Sequence, residues 1–302
     1  MAEPLFPAKI KPGDKIRFVS PASTPDREMI LRRADRLREL GFEVDFGTHA
    51  FTEHGFYAGT HEQRLADLNE ALSDPQVRAV FATRGGRGSY RIADGVDFDA
   101  VLRDPKPLLG FSDITALHMM LMRQCGLVGL HGVLYGDDGG TGPRNIDILM
   151  KFLMETGTIV FTPDKDEVSA KLTTSGRVSG RLIGGNLETL ATMCGWGLPS
   201  FEGAILLVES VDGMLGLTDR TLTLLTRSGA LDGLAGIAVG QFTLSSREKA
   251  EAIIDVVGDH FHPLGIPILG GLPFGHGKGA LTTPIGTMAV LDADARTLTV
   301  EY

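Results

Sequence analysis

An α/β fold built on a mostly parallel sheet is what this sequence predicts, and three observations predict it. Apolar strand-like runs at 15–20, 42–46 and 77–82 alternate with stretches of helical periodicity at 26–40 and 60–72. Strand, helix, strand in that order implies right-handed crossovers between parallel strands, with ligands held beyond the strands' carboxyl ends. The third observation is size: 302 residues exceed one average domain, and the composition turns rich in Thr, Ser, Gly, Pro, Lys and Asp over 156–176. The expected organisation is an N-terminal domain over 1–160, a linker over 161–176 and a C-terminal domain over 177–302.

Each element has a local reason. The first strand, 15–20, closes on the turn formers Ser20-Pro21-Ala22-Ser23. Ile30, Ala34 and Leu37 recur at helical spacing, and Gly41 stands where a helix-ending glycine belongs. Residues 42–46 alternate like a strand, Thr60 can cap a helix over 60–72, and 77–82 is a further strand. After an apolar run ending at Gly110 come a helix over 114–124, a strand over 127–131 and a helix over 144–155. The second half reads as a strand over 178–183, a Gly184-Gly185-Asn186 turn, a helix over 187–194 and a strongly apolar strand over 204–208. Helices over 217–227 and 247–259 follow, with a strand over 235–242 between them and a short one over 268–271. The tail, 287–290 and 297–301 around Asp292-Ala293-Asp294, reads as a β-hairpin.

Composition removes several function classes. With 43% hydrophobic and 22% charged residues the chain is too apolar to be disordered. A net charge of -9 argues against nucleic acid or an anionic membrane as partner, because both need clustered Lys and Arg. The opening residues lack a cationic stretch followed by an apolar one, and no apolar run reaches about eighteen residues, so a cytoplasmic location is expected. Cys125 and Cys194 both fall in or beside apolar helical patterns, which suits free thiols better than a disulfide or zinc framework.

The chemistry concentrates at Leu108-Leu109-Gly110-Phe111-Ser112-Asp113-Ile114-Thr115, where a strand-like run meets a helical pattern. A serine at such a corner either caps the helix or projects as a nucleophile beside the unsatisfied N–H groups of the helix start. Upstream, Thr83-Arg84-Gly85-Gly86-Arg87-Gly88-Ser89-Tyr90 has three glycines in four positions and could turn backbone donors toward an anion. It fits neither the dinucleotide fingerprint nor a phosphate-binding loop with its lysine, and a plain tight turn with solvated arginines is the alternative. A nucleophilic serine needs a base and a group that orients the base. Glu209 directly follows five apolar residues, at the ligand end of a sheet or facing water. His276 sits in the glycine-flanked Leu272-Pro273-Phe274-Gly275-His276-Gly277-Lys278-Gly279, over a cleft or in solvent. The order Ser, acid, His is that of α/β-hydrolases, but Ile114 stands where their elbow has its second glycine. His260 and His262 are assigned to a helix end, since no carboxylates at metal-binding spacing accompany them.

Taken together, Arg84-Gly85-Gly86, Gly110-Phe111-Ser112-Asp113-Ile114-Thr115, Gly184-Gly185-Asn186-Leu187, Leu207-Val208-Glu209 and Pro273-Phe274-Gly275-His276 resemble the LD-carboxypeptidase family of serine peptidases. That family includes the microcin C7 self-immunity enzymes, and the similarity runs from about Ile16 to the end. The resemblance implies a flavodoxin-like N-terminal domain with the nucleophile elbow, a smaller C-terminal α/β domain with acid and base, an active site in the cleft between them, and a homodimer. It makes Ser112 the nucleophile, His276 the general base and then acid, and Glu209 the residue orienting His276, with the backbone N–H groups of Gly86 and Asp113 as the oxyanion hole. Glu188 and Asp212 are the next carboxylates to consider for His276. Arg84, Arg87 and Asn186 are candidate substrate contacts. Family members often carry an aromatic residue after the two glycines, where this chain has Arg87, which could bind a peptide's free carboxylate or extend into solvent.

The implied reaction is hydrolysis of the amide joining an L-centre to a terminal D-amino acid of a cytoplasmic murein tetrapeptide, through an acyl-enzyme. The substrate partner is a small peptide. No metal or organic cofactor is expected, because backbone dipoles would hold the oxyanion. A second reading keeps the triad and cleaves peptidyl or aminoacyl nucleotide amides, with Trp196 as the ring to stack on a base. A third is a binding protein that kept the fold.

Overall fold

The first half of the chain folds around five parallel strands, β1 (Lys15–Val19), β2 (Glu43–Phe46), β3 (Val77–Ala82), β4 (Leu108–Gly110) and β5 (Gly129–His131). In the computed structural model, which describes residues 3–132, 134 and 142–302, they lie in the order β2-β1-β3-β4-β5. That is the order of flavodoxin-like sheets. Met1 and Ala2, part of the opening stretch read for a targeting signal, lie outside the described residues. The central strands are largely apolar, with Ile16, Val80, Phe81 and Leu108 fully buried, while the edge strand β2 alternates Glu43 and Asp45 with Val44 and Phe46 and is partly exposed.

The helices are α1 (Arg27–Glu39), α2 (His61–Ser73), α3 (Phe98–Arg103), α4 (Thr115–Cys125) and α5 (Gly142–Met154). The Asp26 carboxylate accepts the Met29 N–H at the start of α1. Thr60 caps α2 in a reciprocal box with Gln63, which fixes where that helix begins after the loop from β2.

The chain divides into two units, Met1–Glu155 and Thr156–Tyr302. The second contains β6 (Thr158–Phe161), β7 (Arg177–Asn186), β8 (Ile205–Val211), β9 (Gly236–Thr243), β10 (Ile268–Leu269), β11 (Thr283–Ile285), β12 (Met288–Asp292) and β13 (Thr297–Glu301). Seven of these form a mixed sheet in the order β10-β9-β8-β7-β12-β13-β6. The pairs from β10 to β7 are parallel, and those from β7 through β12 and β13 to β6 are antiparallel. Its helices are α6 (Leu187–Thr192), α7 (Leu215–Arg227) and α8 (Arg247–Phe261). Among the described residues no helix is long and apolar enough to cross a membrane.

Three expectations need correction. Residues 161–176, expected as a linker, belong to the second unit. Their hydroxyl groups are what anchor them: Ser169 donates to the Gly240 carbonyl at 2.7 Å, while Thr173 and Thr174 accept the N–H groups of Gly270 and Ile268. The expected turn at Gly184-Gly185-Asn186 is instead the end of β7. A Cβ on Gly184 would fall 2.0 Å from the Leu207 carbonyl oxygen, so glycine here serves close strand approach rather than reversal. The strand expected to stop at Val208 runs on to Val211, which places Glu209 inside β8.

The ring of Phe161 packs edge-on against that of Phe274 at 4.8 Å, and both are buried. Phe161→Ala should therefore cost about 3–5 kcal/mol in a urea unfolding series; a loss under about 1 kcal/mol would contradict this packing.

Candidate active site

Parallel pairing of Phe81 with Leu109 brings the ends of β3 and β4 together, so the glycine loop after β3 and the serine corner after β4 emerge side by side. Ser112 has φ of 61°, in the left-handed region that a residue with a Cβ seldom adopts. It opens a short 3₁₀ turn, Ser112–Ile114, whose N-cap is Phe111, and the N-cap of α4 is Ile114, so Ser112 occupies neither cap position. Capping, the alternative role open from the sequence, is thereby removed. Gly85 lies against this corner, and a Cβ on it would stand 2.8 Å from the Ser112 Cβ. His118 supports the strand behind: its Nε2 donates to the Gly110 carbonyl at 3.0 Å, and burial pushes its pKa down to about 4, so the ring is neutral.

The glycine loop is tied to the corner by side chains. The Asp113 carboxylate, buried, accepts the Ser89 N–H at 2.7 Å, and the Ser89 hydroxyl donates to the Asp113 carbonyl. Burial raises the Asp113 pKa, and the hydrogen bonds from Ser89 oppose that rise. Arg64, fully buried on α2, donates through Nη1 to the carbonyls of Pro21 and Gly88, and its guanidinium lies 4.8 Å from the Tyr57 ring centroid. The Ser23 hydroxyl accepts the Arg87 N–H at 3.1 Å. Gly86 is exposed with φ of 106°. Among the described residues, neither its N–H nor that of Asp113 has a hydrogen-bond acceptor. Arg84 donates to the Thr24 carbonyl at 3.2 Å, and the Arg87 residue is exposed. Sequence reading missed Ser23, Arg64 and Ser89. Arg64 carried a signal, since it occupies the stripe of α2 that Leu68, Ala71 and Leu72 bury.

In the second unit, the Nδ1 atom of His276 lies 2.7 Å from Oε2 of Glu209, whose side chain is wholly buried. Burial disfavours the imidazolium, but the Glu209 charge and hydrogen bond, with smaller help from Glu188 and Asp212, outweigh it and raise the His276 pKa. Glu188 is engaged elsewhere, accepting the Ser210 hydroxyl at 2.7 Å, and burial raises its own pKa. Asp212 has φ of 54° and donates its N–H to the Thr243 carbonyl. Of the three carboxylates considered, Glu209 is the one bonded to the ring. Asn186 pairs in register with Glu209, and its side-chain oxygen caps α6 by accepting from the N–H and hydroxyl of Thr189. His260 bonds to Asp219 at 2.9 Å, and His262 opens the turn after α8.

The LD-carboxypeptidase N-terminal domain matches residues 16–132, and the LD-carboxypeptidase C-terminal domain matches residues 179–291. The chain belongs to the LD-carboxypeptidase family. It is a serine carboxypeptidase. It is 33% identical to a probable murein peptide carboxypeptidase of Bacillus subtilis (strain 168), over 98% of this chain and 94% of that one. It is 31% identical to a murein tetrapeptide carboxypeptidase of Pseudomonas aeruginosa, over 93% of this chain and 94% of the relative. Among solved structures, an MccF-like protein from Bacillus anthracis str. Ames superposes with a TM-score of 0.84 at 27% identity, covering 98% of this chain and 99% of the other. The matched N-terminal span of this LD-carboxypeptidase relative includes Ser112 and the glycine loop, and the C-terminal span includes Glu209 and His276.

The raised His276 pKa means that the imidazolium persists to higher pH than in a free histidine. An NMR titration should place its midpoint above about 6.5, and Glu209→Gln should move it down. A midpoint unchanged by Glu209→Gln would show that the carboxylate charge does not set it.

Proposed function

We propose that this enzyme is an LD-carboxypeptidase that removes the terminal D-amino acid from cytoplasmic murein tetrapeptides with Ser112, His276 and Glu209 as its triad. The observation that carries this reading is the left-handed serine corner, flanked by two N–H groups without acceptors among the described residues. Ser112 attacks the carbonyl of the L,D-amide. His276, whose Nδ1 is engaged by Glu209, takes the serine proton at Nε2 and delivers it to the leaving amine. The N–H groups of Gly86 and Asp113 receive the negative charge that develops on the carbonyl oxygen, and each such donor supports about a hundredfold or more in rate. Water then takes the place of the leaving amine and, with His276 again accepting a proton, hydrolyses the acyl-enzyme. Glu209 keeps the ring oriented and stabilises its charged form. Arg84 and Arg87, both exposed beside the glycines, are suited to the carboxylates of such a peptide. Asn186, in register with Glu209 at the end of β7, is the third candidate contact for the peptide. The family resemblance also supports a homodimer; sedimentation at the 32.3 kDa of one chain would contradict it.

The test is incubation with L-alanyl-D-glutamyl-diaminopimelyl-D-alanine and mass spectrometry for released D-alanine. Release is expected, with a loss of several orders of magnitude in turnover for Ser112→Ala or His276→Ala and a smaller loss for Glu209→Ala. Failure on the tetrapeptide together with cleavage of an aminoacyl sulfamoyl adenosine would replace this substrate with a nucleotide amide. Because His276 must be neutral to accept the serine proton, kcat/KM should fall as pH drops through its raised pKa. A flat profile between about pH 5 and 8 would contradict histidine as the base.

A further inference from the structure

Gln241, a buried residue of β9, makes three hydrogen bonds that frame His276. Its backbone N–H donates to the Phe274 carbonyl at 2.8 Å, two residues before the histidine. Its side-chain Oε1 accepts the Gly277 N–H at 2.8 Å, and its Nε2 donates to the Lys278 carbonyl at 2.9 Å, just after the histidine. The segment it grips has little stiffness of its own, with Gly275 at φ of 133° and Gly279 at φ of 84°. The placement of Gln241 is itself arranged. Val208 pairs with Val239 but Ser210 pairs with Phe242, so β9 carries one extra residue, and Gly240 and Gln241 both stand opposite Glu209. An extra residue of this kind redirects a side chain, and such irregularities recur beside active sites.

We infer that Gln241 is the positioning residue for His276, fixing the backbone of its loop while Glu209 fixes the ring. This rests on the reading of His276 as the base. The Glu209 hydrogen bond holds one nitrogen of the ring, and the place of the ring as a whole follows the backbone that carries it. The side chain must offer a donor and an acceptor at once. A carboxylate would satisfy Gly277 but place an oxygen against the Lys278 carbonyl, and methionine fills the volume while satisfying neither.

The experiment compares Gln241→Met and Gln241→Glu with the parent enzyme, in both the wild-type and His276→Ala backgrounds. It reads kcat and KM on the tetrapeptide and the rate at which a serine-directed phosphonate labels Ser112, alongside the thermal midpoint. Gln241→Met should lower kcat and the labelling rate about 10–100-fold with KM changed less than about threefold, as for a base displaced by about an ångström. Gln241→Glu should lose less and shift the acid limb of kcat/KM upward, because its added charge favours the imidazolium. In the His276→Ala background neither substitution should lower the labelling rate further. A variant that melts earlier but keeps the parent kcat, or one that costs as much without His276 as with it, would overturn the inference. Parent-rate labelling of His276→Ala would instead overturn the base assignment, and this inference with it.

Discussion

A serine held at positive φ is the constraint on which the first unit depends. The left-handed conformation costs a residue with a Cβ about 1–3 kcal/mol and persists only where the surroundings leave no easier path. Here β4 is paired on both sides, the Ile114 N–H bonds back to the Phe111 carbonyl, and Gly85 packs flat against the corner. The chain therefore turns sharply from strand to helix, and among the described residues the Asp113 N–H at that turn has no acceptor. The glycine loop lies beside that corner. The Asp113 carboxylate and the buried Arg64 hold it there, each gripping loop backbone rather than another side chain's charge.

The second unit solves a different problem, keeping an imidazole basic inside a protein. Burial alone would favour the neutral ring, as it does at His118, which meets backbone groups of Gly110 and Leu130 rather than a carboxylate. At His276 a buried carboxylate 2.7 Å away reverses the balance. Glu188 is close enough to contribute to the field, yet its bond to Ser210 keeps it from competing for the same nitrogen. Buried Glu209 thus bonds to the ring while half-buried Glu188 adds only its charge, and the slip in register opposite Glu209 lets Gln241 hold the loop that carries the ring.

Much of this was readable along the chain. The inner strands of the first unit fell where apolar runs were, because strands covered on both faces demand them, and the edge strand β2 fell where residues alternate. Thr60 and Gly41 marked helix ends through chemistry local to those ends. Position relative to strand ends and family motif single out Ser112, Gly86, Glu209 and His276 as candidates, and the Glu209–His276 hydrogen bond joins two of them. Composition misled over 161–176, since hydroxyl-rich sequence suits a linker and equally suits backbone partners supplied from elsewhere in the fold, as Ser169, Thr173 and Thr174 find. Glycines misled at 184, where they permit strand contact instead of a turn.

By itself the sequence determined the periodicities, the helix caps, the overall charge and the residue types that can perform acyl transfer, since each depends on neighbours a few positions away. Tertiary structure alone decided which of Glu209, Glu188 and Asp212 bonds to His276, that Asp113 works through its carboxylate as well as lying beside the serine, and that Arg64 and Gln241 fasten two glycine loops. Those choices turn on pairs between 24 and 67 residues apart in sequence. Hydrogen bonds form only within about 3 Å, and nothing in a linear chain specifies which distant groups a fold will bring that close.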